Sequence, residues 1–127
     1  MVSKRLAKWD VNIRDAIKMY LLITKPLHNL RAKQLDMLTL MLLKFNNERS
    51  NFKRTSDVWK IVFSADSLAE IRMSLNMNKG VFHNYIHRMR KLGVIKNDQI
   101  APAYNPLLEE NVSELQITFL FKIKPDG

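Results

Sequence analysis

Residues 77–95 read MNKGVFHNYIHRMRKLGVI, and the stretch predicts a single helix with a marked start and a marked stop. Asn78 is a natural N-cap, because its side-chain oxygen can accept from a free backbone N–H of the first turn. Met77 just before it and Phe82 at the fourth helical position have the spacing of a hydrophobic staple. Gly93 follows the last turn, where a left-handed residue closes a helix. Between these marks Phe82, Tyr85, Ile86 and Met89 recur at helical spacing and make one apolar face. Gly80, His83, Asn84, His87 and Lys91 fall on the opposite face, with Arg88 beside them. From Ile71 to Asn97 there is no Asp or Glu, while Arg72, Lys79, Arg88, Arg90, Lys91 and Lys96 are all present. An acid-free helix with an apolar inner side suits an anionic partner; a plain solvated helix is its simpler reading.

Upstream of this helix, Ser67-x-x-Glu70 has the pattern of a capping box and predicts a helix from 67 to 75, with Leu68, Ile71 and Leu75 inside. Asn76 then turns the chain, since Asn tolerates the left-handed region. A shorter helix is expected over 57–63, capped by Ser56 or Thr55, after a polar loop over 46–54 that carries Arg49, Lys53 and Arg54. Before that, 31–46 predicts a helix with Leu35, Leu38, Leu42 and Phe45 on one face and Asn29 as the nearest cap. Met37 and Leu40 lie off that face and are also apolar, so the helix is expected to be central or shared with a second subunit. The first helix is expected over 11–23, capped by Asp10 and broken at Lys25-Pro26. Residues 1–10 read as a basic arm with Lys4, Arg5 and Lys8.

Downstream, Val94-Ile95-Lys96 begins a strand. Residues 97–114, with Pro102, Pro106, Glu109, Glu110 and Glu114, read as one long loop. Residues 115–123 alternate, with Leu115, Ile117, Phe119, Phe121 and Ile123 on one side, and predict a half-buried strand pairing antiparallel with 94–96 or with 99–101.

The chain has 127 residues, which suits one domain with a modest core. Its net charge of +9 favours nucleic acid, a membrane surface or an acidic protein as partner. There is no cysteine, which excludes disulfides, thiol nucleophiles and Cys-based metal sites. No apolar run is long enough to span a bilayer, and the first ten residues have no apolar run behind their charges, so neither a membrane anchor nor a signal peptide is expected. A soluble protein acting in the cytoplasm, or packaged in a virion, fits these features.

Leu75-Asn76-Met77-Asn78 followed by Phe82, Ile86, Met89 and Gly93-Val94-Ile95 resembles the winged helix-turn-helix family of DNA-binding domains, of the small phage or bacterial type. The resemblance covers roughly residues 31–123. It implies a mainly α fold with a small antiparallel β wing. Residues 11–127 would form one domain, with a positioning helix over 67–75, a recognition helix over 79–91 and a wing over 94–123. In this family the wing tip is usually short and basic; here the loop is long and acidic in its later part, which suits a protein contact better than a phosphate.

Under that resemblance Asn84 and Arg88 are candidates for base edges, Asn for adenine and Arg for guanine. Lys79 and Lys91 are candidates for phosphate contacts. Gly80 would let a phosphate approach the helix start. Arg49, Lys53, Arg54 and the arm would lie on the DNA backbone. His83 and His87 are at i, i+4, a metal-compatible spacing, but no third ligand is in view on their face, and no metal or cofactor is expected. Catalysis is not expected either: there is no Gly-rich phosphate loop and no nucleophile–His–acid set. The expected function is that of a non-enzymatic, sequence-preferring double-stranded DNA-binding protein, a transcription regulator or replication-type factor. The alternative is a phage-type virion, assembly or protein-interaction module on the same fold, with a homodimer or protein partner held through residues 11–46.

Overall fold

The computed structural model describes residues 10–107 and 123–125. The basic arm over 1–9 and the alternating segment 115–122 lie outside the described residues, and Ile123 is exposed and in no strand. The described chain is mainly helical: α1 Ile13–Ile23, α2 Lys25–His28, α3 Ala32–Glu48, α4 Thr55–Val62, α5 Ala65–Ser74 and α6 Lys79–Lys91, with a small antiparallel sheet of β1 Ile95–Lys96 and β2 Gln99–Ile100.

The organising element is α3. Its all-round apolar character is met from within the chain, because Met37, Leu38, Met41 and Leu42 are fully buried and Leu40 packs against the same core. The surplus at Met37 therefore belongs to a central helix and does not point to a second subunit. Ile17 and Leu21 of α1 join this core, and so do Val58, Trp59 and Val62 of α4. Trp59 stacks on Phe45 with ring centroids 4.3 Å apart, which fixes α4 against the end of α3. Lys18 pairs with Asp36 at 3.6 Å between α1 and α3, and Lys44 pairs with Glu70 between α3 and α5. Both pairs are solvent-exposed and contribute little beyond orientation.

Several boundaries differ from expectation, each for a local reason. Asn12, not Asp10, caps α1, its side chain accepting from Asp15 N–H at 2.8 Å. Lys25-Pro26 does not end the helical path; it opens the one-turn α2, where proline is tolerated because first-turn N–H groups lack helical partners. Asn29 does not cap α3 but closes α2 in the left-handed region at φ 49°. At the start of α3, the Gln34 side chain accepts from Arg31 N–H at 3.0 Å. The loop expected over 46–54 is mostly structured, since α3 runs to Glu48 and a 3-10 turn follows at Arg49–Asn51. Neither Ser56 nor Thr55 caps α4; Thr55 is its first residue and Arg54 precedes it without a side-chain cap. In α5 the cap is Ser64, which accepts from Ser67 N–H at 3.3 Å, so Ser67 is a buried residue inside the helix and not the start of a capping box.

The largest difference lies after α6. The expected long loop over 97–114 is instead a tight hairpin at its start. Ile95 pairs with Ile100 and Lys96 with Gln99, and Asn97 and Asp98 connect them at φ 53° and 52°. Two consecutive left-handed residues form the turn that matches strand twist. Ala101 N–H donates to Val94 O at 2.8 Å and extends the pairing, and a 3-10 turn at Pro102–Tyr104 follows. Tyr20 reaches this turn from α1, donating its hydroxyl to Ala103 O at 2.7 Å.

Candidate nucleic-acid interface

The helix read from residues 79–91 has those bounds in the structure. Asn78 caps it, accepting from Val81 N–H at 2.8 Å, and Met77 and Phe82 are both buried at its start. Phe82, Ile86 and Met89 enter the core. The connection from α5 closes on Asn76 at φ 52°, with Met77 N–H donating to Arg72 O and Asn76 N–H to Met73 O, both at 3.1 Å. The other end closes in the same way on Gly93 at φ 77°, with Val94 N–H donating to Met89 O at 3.0 Å and Gly93 N–H to Arg90 O at 3.2 Å. This double bond pattern satisfies the carbonyls that a helix end leaves open.

With its inner side fixed, α6 presents three outer strips, at about 100° per residue. Gly80, Asn84, His87 and Lys91 stand opposite the core, with Arg88 at their edge, and all five are exposed. Lys79, His83 and Arg90 form the strip toward the hairpin, where Arg90 Nη2 meets Asp98 Oδ1 at 3.1 Å. Val81, Tyr85 and Leu92 form the other strip, and Val81 and Leu92 are exposed. The seven candidates Lys79, Gly80, His83, Asn84, His87, Arg88 and Lys91 thus share one helix surface. A Cβ added at Gly80 would meet nothing closer than Asn78 Oδ1 at 3.6 Å, so no crowding within the chain requires glycine there.

The remaining cations divide. Lys53 and Arg54 are exposed just before α4. A groove of about 340 Å³ separates Ser56, Trp59 and Lys60 of α4 from Asn97, Asp98 and Gln99 of the hairpin. Arg49 is engaged inside the fold: its guanidinium lies 5.0 Å from the Phe45 ring centre, and Nη1 donates to Leu107 O at 2.7 Å. That geometry gives it a structural task within the fold. Arg72, counted with the acid-free window, is likewise half-buried, with Nη1 donating to Met77 O at 3.1 Å, so it clamps the α5–α6 turn. The acid-free window is therefore a surface of Lys79, Arg88, Lys91 and Lys96, with Arg90 shared with Asp98.

His28 is 4% exposed and bridges two elements. Its Nδ1 accepts from Leu30 N–H at 3.0 Å, so Nε2 carries the proton and donates to Leu21 O at 2.8 Å. No sequence signal marked it, because both partners are backbone groups. Among the described residues no group of three His, Asp or Glu side chains is placed to hold a metal, and no helix is long and apolar enough to cross a membrane.

Fold and site together define a small, mainly helical unit with a two-stranded hairpin and one cationic, acid-free helix set between two left-handed closures. No family model, curated protein or solved structure matches the chain.

Proposed function

We propose that this chain is a non-enzymatic, sequence-preferring double-stranded DNA-binding protein of winged helix-turn-helix type, with α6 as the helix that enters the major groove. The observation that carries the reading is the two-sided character of α6: Phe82, Ile86 and Met89 hold it in the core, while Asn84, Arg88 and Lys91 stand in solvent with no acid from Ile71 to Asn97. The α5–turn–α6–hairpin order supports it, with Arg72 fixing the turn from within. A helix about 10–12 Å across fits a major groove about 12 Å wide. Asn84 and Arg88 then meet base edges, and Lys79, Lys91 and Lys96 meet phosphates. Transcription regulation and replication are both compatible with such a module.

The test is fluorescence anisotropy with labelled duplex DNA across a salt series. With exposed Lys53 and Arg54 also on the backbone, about five phosphate contacts give a log–log slope of roughly −4 to −5. Lys91→Ala weakens all sequences alike and flattens that slope by about one. Asn84→Ala or Arg88→Ala costs about 1–3 kcal/mol on the preferred site and little on random DNA. Normal binding by a folded variant with Lys79, Arg88 and Lys91 all changed to Glu removes α6 from the interface.

One observation favours a protein contact elsewhere. Leu27 is 74% and Leu22 51% exposed at the α1–α2 corner, within the 11–46 region. This corner replaces Met37 as the apolar surface on which an assembly reading or a homodimer rests. A concentration-independent monomer in sedimentation would count against self-association there.

A further inference from the structure

A cleft of about 240 Å³ lies between the first turn of α3 and the α5–α6 turn. Lys33 lines it from α3, Asn76 and Asn78 from the turn, and Val81 and Tyr85 from α6. Lys33 is exposed and has no ion-pair partner among the described residues. Asp36, the acid one turn further along α3, is taken by Lys18 at 3.6 Å.

The need for such a cation follows from the strips of α6. A helix that fills the major groove has a sugar-phosphate strand on each side. On the hairpin side α6 carries Lys79 and Arg90, and Lys96 lies against Gly93 at its end. On the other side α6 offers Val81, Tyr85 and Leu92, which have no positive charge, and the bordering Arg88 is committed to a base edge in the DNA-binding reading. A phosphate on that side must find its cation on another element, and Lys33 faces the same cleft as Val81 and Tyr85.

We propose that Lys33 holds a phosphodiester of the strand bordering α6 on this side, giving the duplex a cation on both sides of the recognition helix. The inference rests on the DNA-binding reading. Val81 supplies an apolar surface for the deoxyribose, and the Tyr85 hydroxyl is a second donor. Asn78 has its oxygen engaged with Val81 N–H, which leaves its amide nitrogen to donate toward the cleft. The start of α3 thus becomes a DNA-facing surface within the 11–46 region that the sequence also offers to a protein partner.

The experiment measures binding of labelled random-sequence duplex across a salt series for the wild type, Lys33→Ala, Lys33→Arg, Lys25→Ala and the triple Lys79, Arg88, Lys91 to Glu variant. Lys25 is an exposed lysine of α2 that does not line the cleft. Melting curves establish that each variant is folded. The expected result is a slope reduced by about 0.9, one phosphate's worth, in Lys33→Ala and a wild-type slope in Lys33→Arg and Lys25→Ala. A wild-type slope in Lys33→Ala, with binding lost in the triple variant, overturns this inference and leaves the DNA reading intact. Equal slope losses in Lys33→Ala and Lys25→Ala also overturn it, since the effect is then one of overall charge. Competition by millimolar inorganic phosphate at constant ionic strength would mark a free-anion site and overturn it as well. Absence of duplex binding by the wild type overturns the DNA reading itself.

Discussion

Replacing His28 with Phe separates the hydrogen bonds of this residue from its packing. Phe keeps an aromatic ring of similar breadth against Tyr104, whose ring lies edge-on at 5.9 Å. What goes is the pair of polar contacts. Leu30 N–H loses its acceptor at 3.0 Å, and Leu30 is fully buried, so water cannot readily take that place. An orphaned buried donor costs about 1–3 kcal/mol. Leu21 O loses the Nε2 donor at 2.8 Å and keeps only a long contact with Thr24 Oγ1 at 3.5 Å. That loss adds about 0.5–1.5 kcal/mol. Together His28→Phe should destabilise the fold by about 2–4 kcal/mol, and at this chain length the melting temperature should fall by on the order of 10 °C. Thermal melts followed by far-UV circular dichroism, with urea titration for the free energy, measure both. A drop of less than about 3 °C would mean that the α1–α2–α3 corner is held by packing alone, and the reasoning would fail.

Phe82→Ala should cost about 3–5 kcal/mol in a urea titration, because Phe82 is 2% exposed and anchors the start of α6; a near-neutral result would put the helix register in error. Gly93→Ala should cost about 1–2 kcal/mol, since the position sits at φ 77° and an alanine there meets the left-handed penalty. Its Cβ would lie 3.3 Å from Lys96 Cε, a flexible neighbour, so an effect far above that range would show a clash that this geometry does not contain. Burial raises the Tyr20 hydroxyl above its ordinary value of 10.0. A folded-state value above the unfolded one gives stability that is fully present below about pH 10 and is lost as pH rises through the raised value. The stability gap between wild type and Tyr20→Phe should therefore narrow above pH 10; a gap constant up to pH 11 would refute the effect of burial on this hydroxyl.

The degree to which the chain could be read in advance followed how local each determinant is. Residues 76–95 were legible almost residue by residue, because a cap, a staple, a 3.6-residue period and a glycine all lie within the segment they govern. The outward residues of α6 were legible for the same reason. Ser67 misled because Ser64, three residues earlier, competes for the same capping task and accepts from the Ser67 N–H itself. The hairpin was missed although its signal was present: Asn97-Asp98 is a pair that tolerates the left-handed region between two short β-prone segments. The structural roles of Arg49, Arg72 and His28 could not be read. Each is fixed by a backbone carbonyl or amide of another segment, and backbone groups leave no mark in a residue string.

The paired closures at Asn76 and Gly93 have a consequence for how such a chain can change over time. Both ends of α6 are tied by backbone hydrogen bonds, a clamp from Arg72 and buried Met77 and Val94. None of these ties uses the side chain of Asn84, His87, Arg88 or Lys91, and none involves Gly80. Substitutions at those five positions therefore alter the outer face without loosening the scaffold, within the small range set by helix propensity. The helix behaves as a replaceable cassette: its outward side chains can drift, or be randomised in a library, while the fold stays under separate selection.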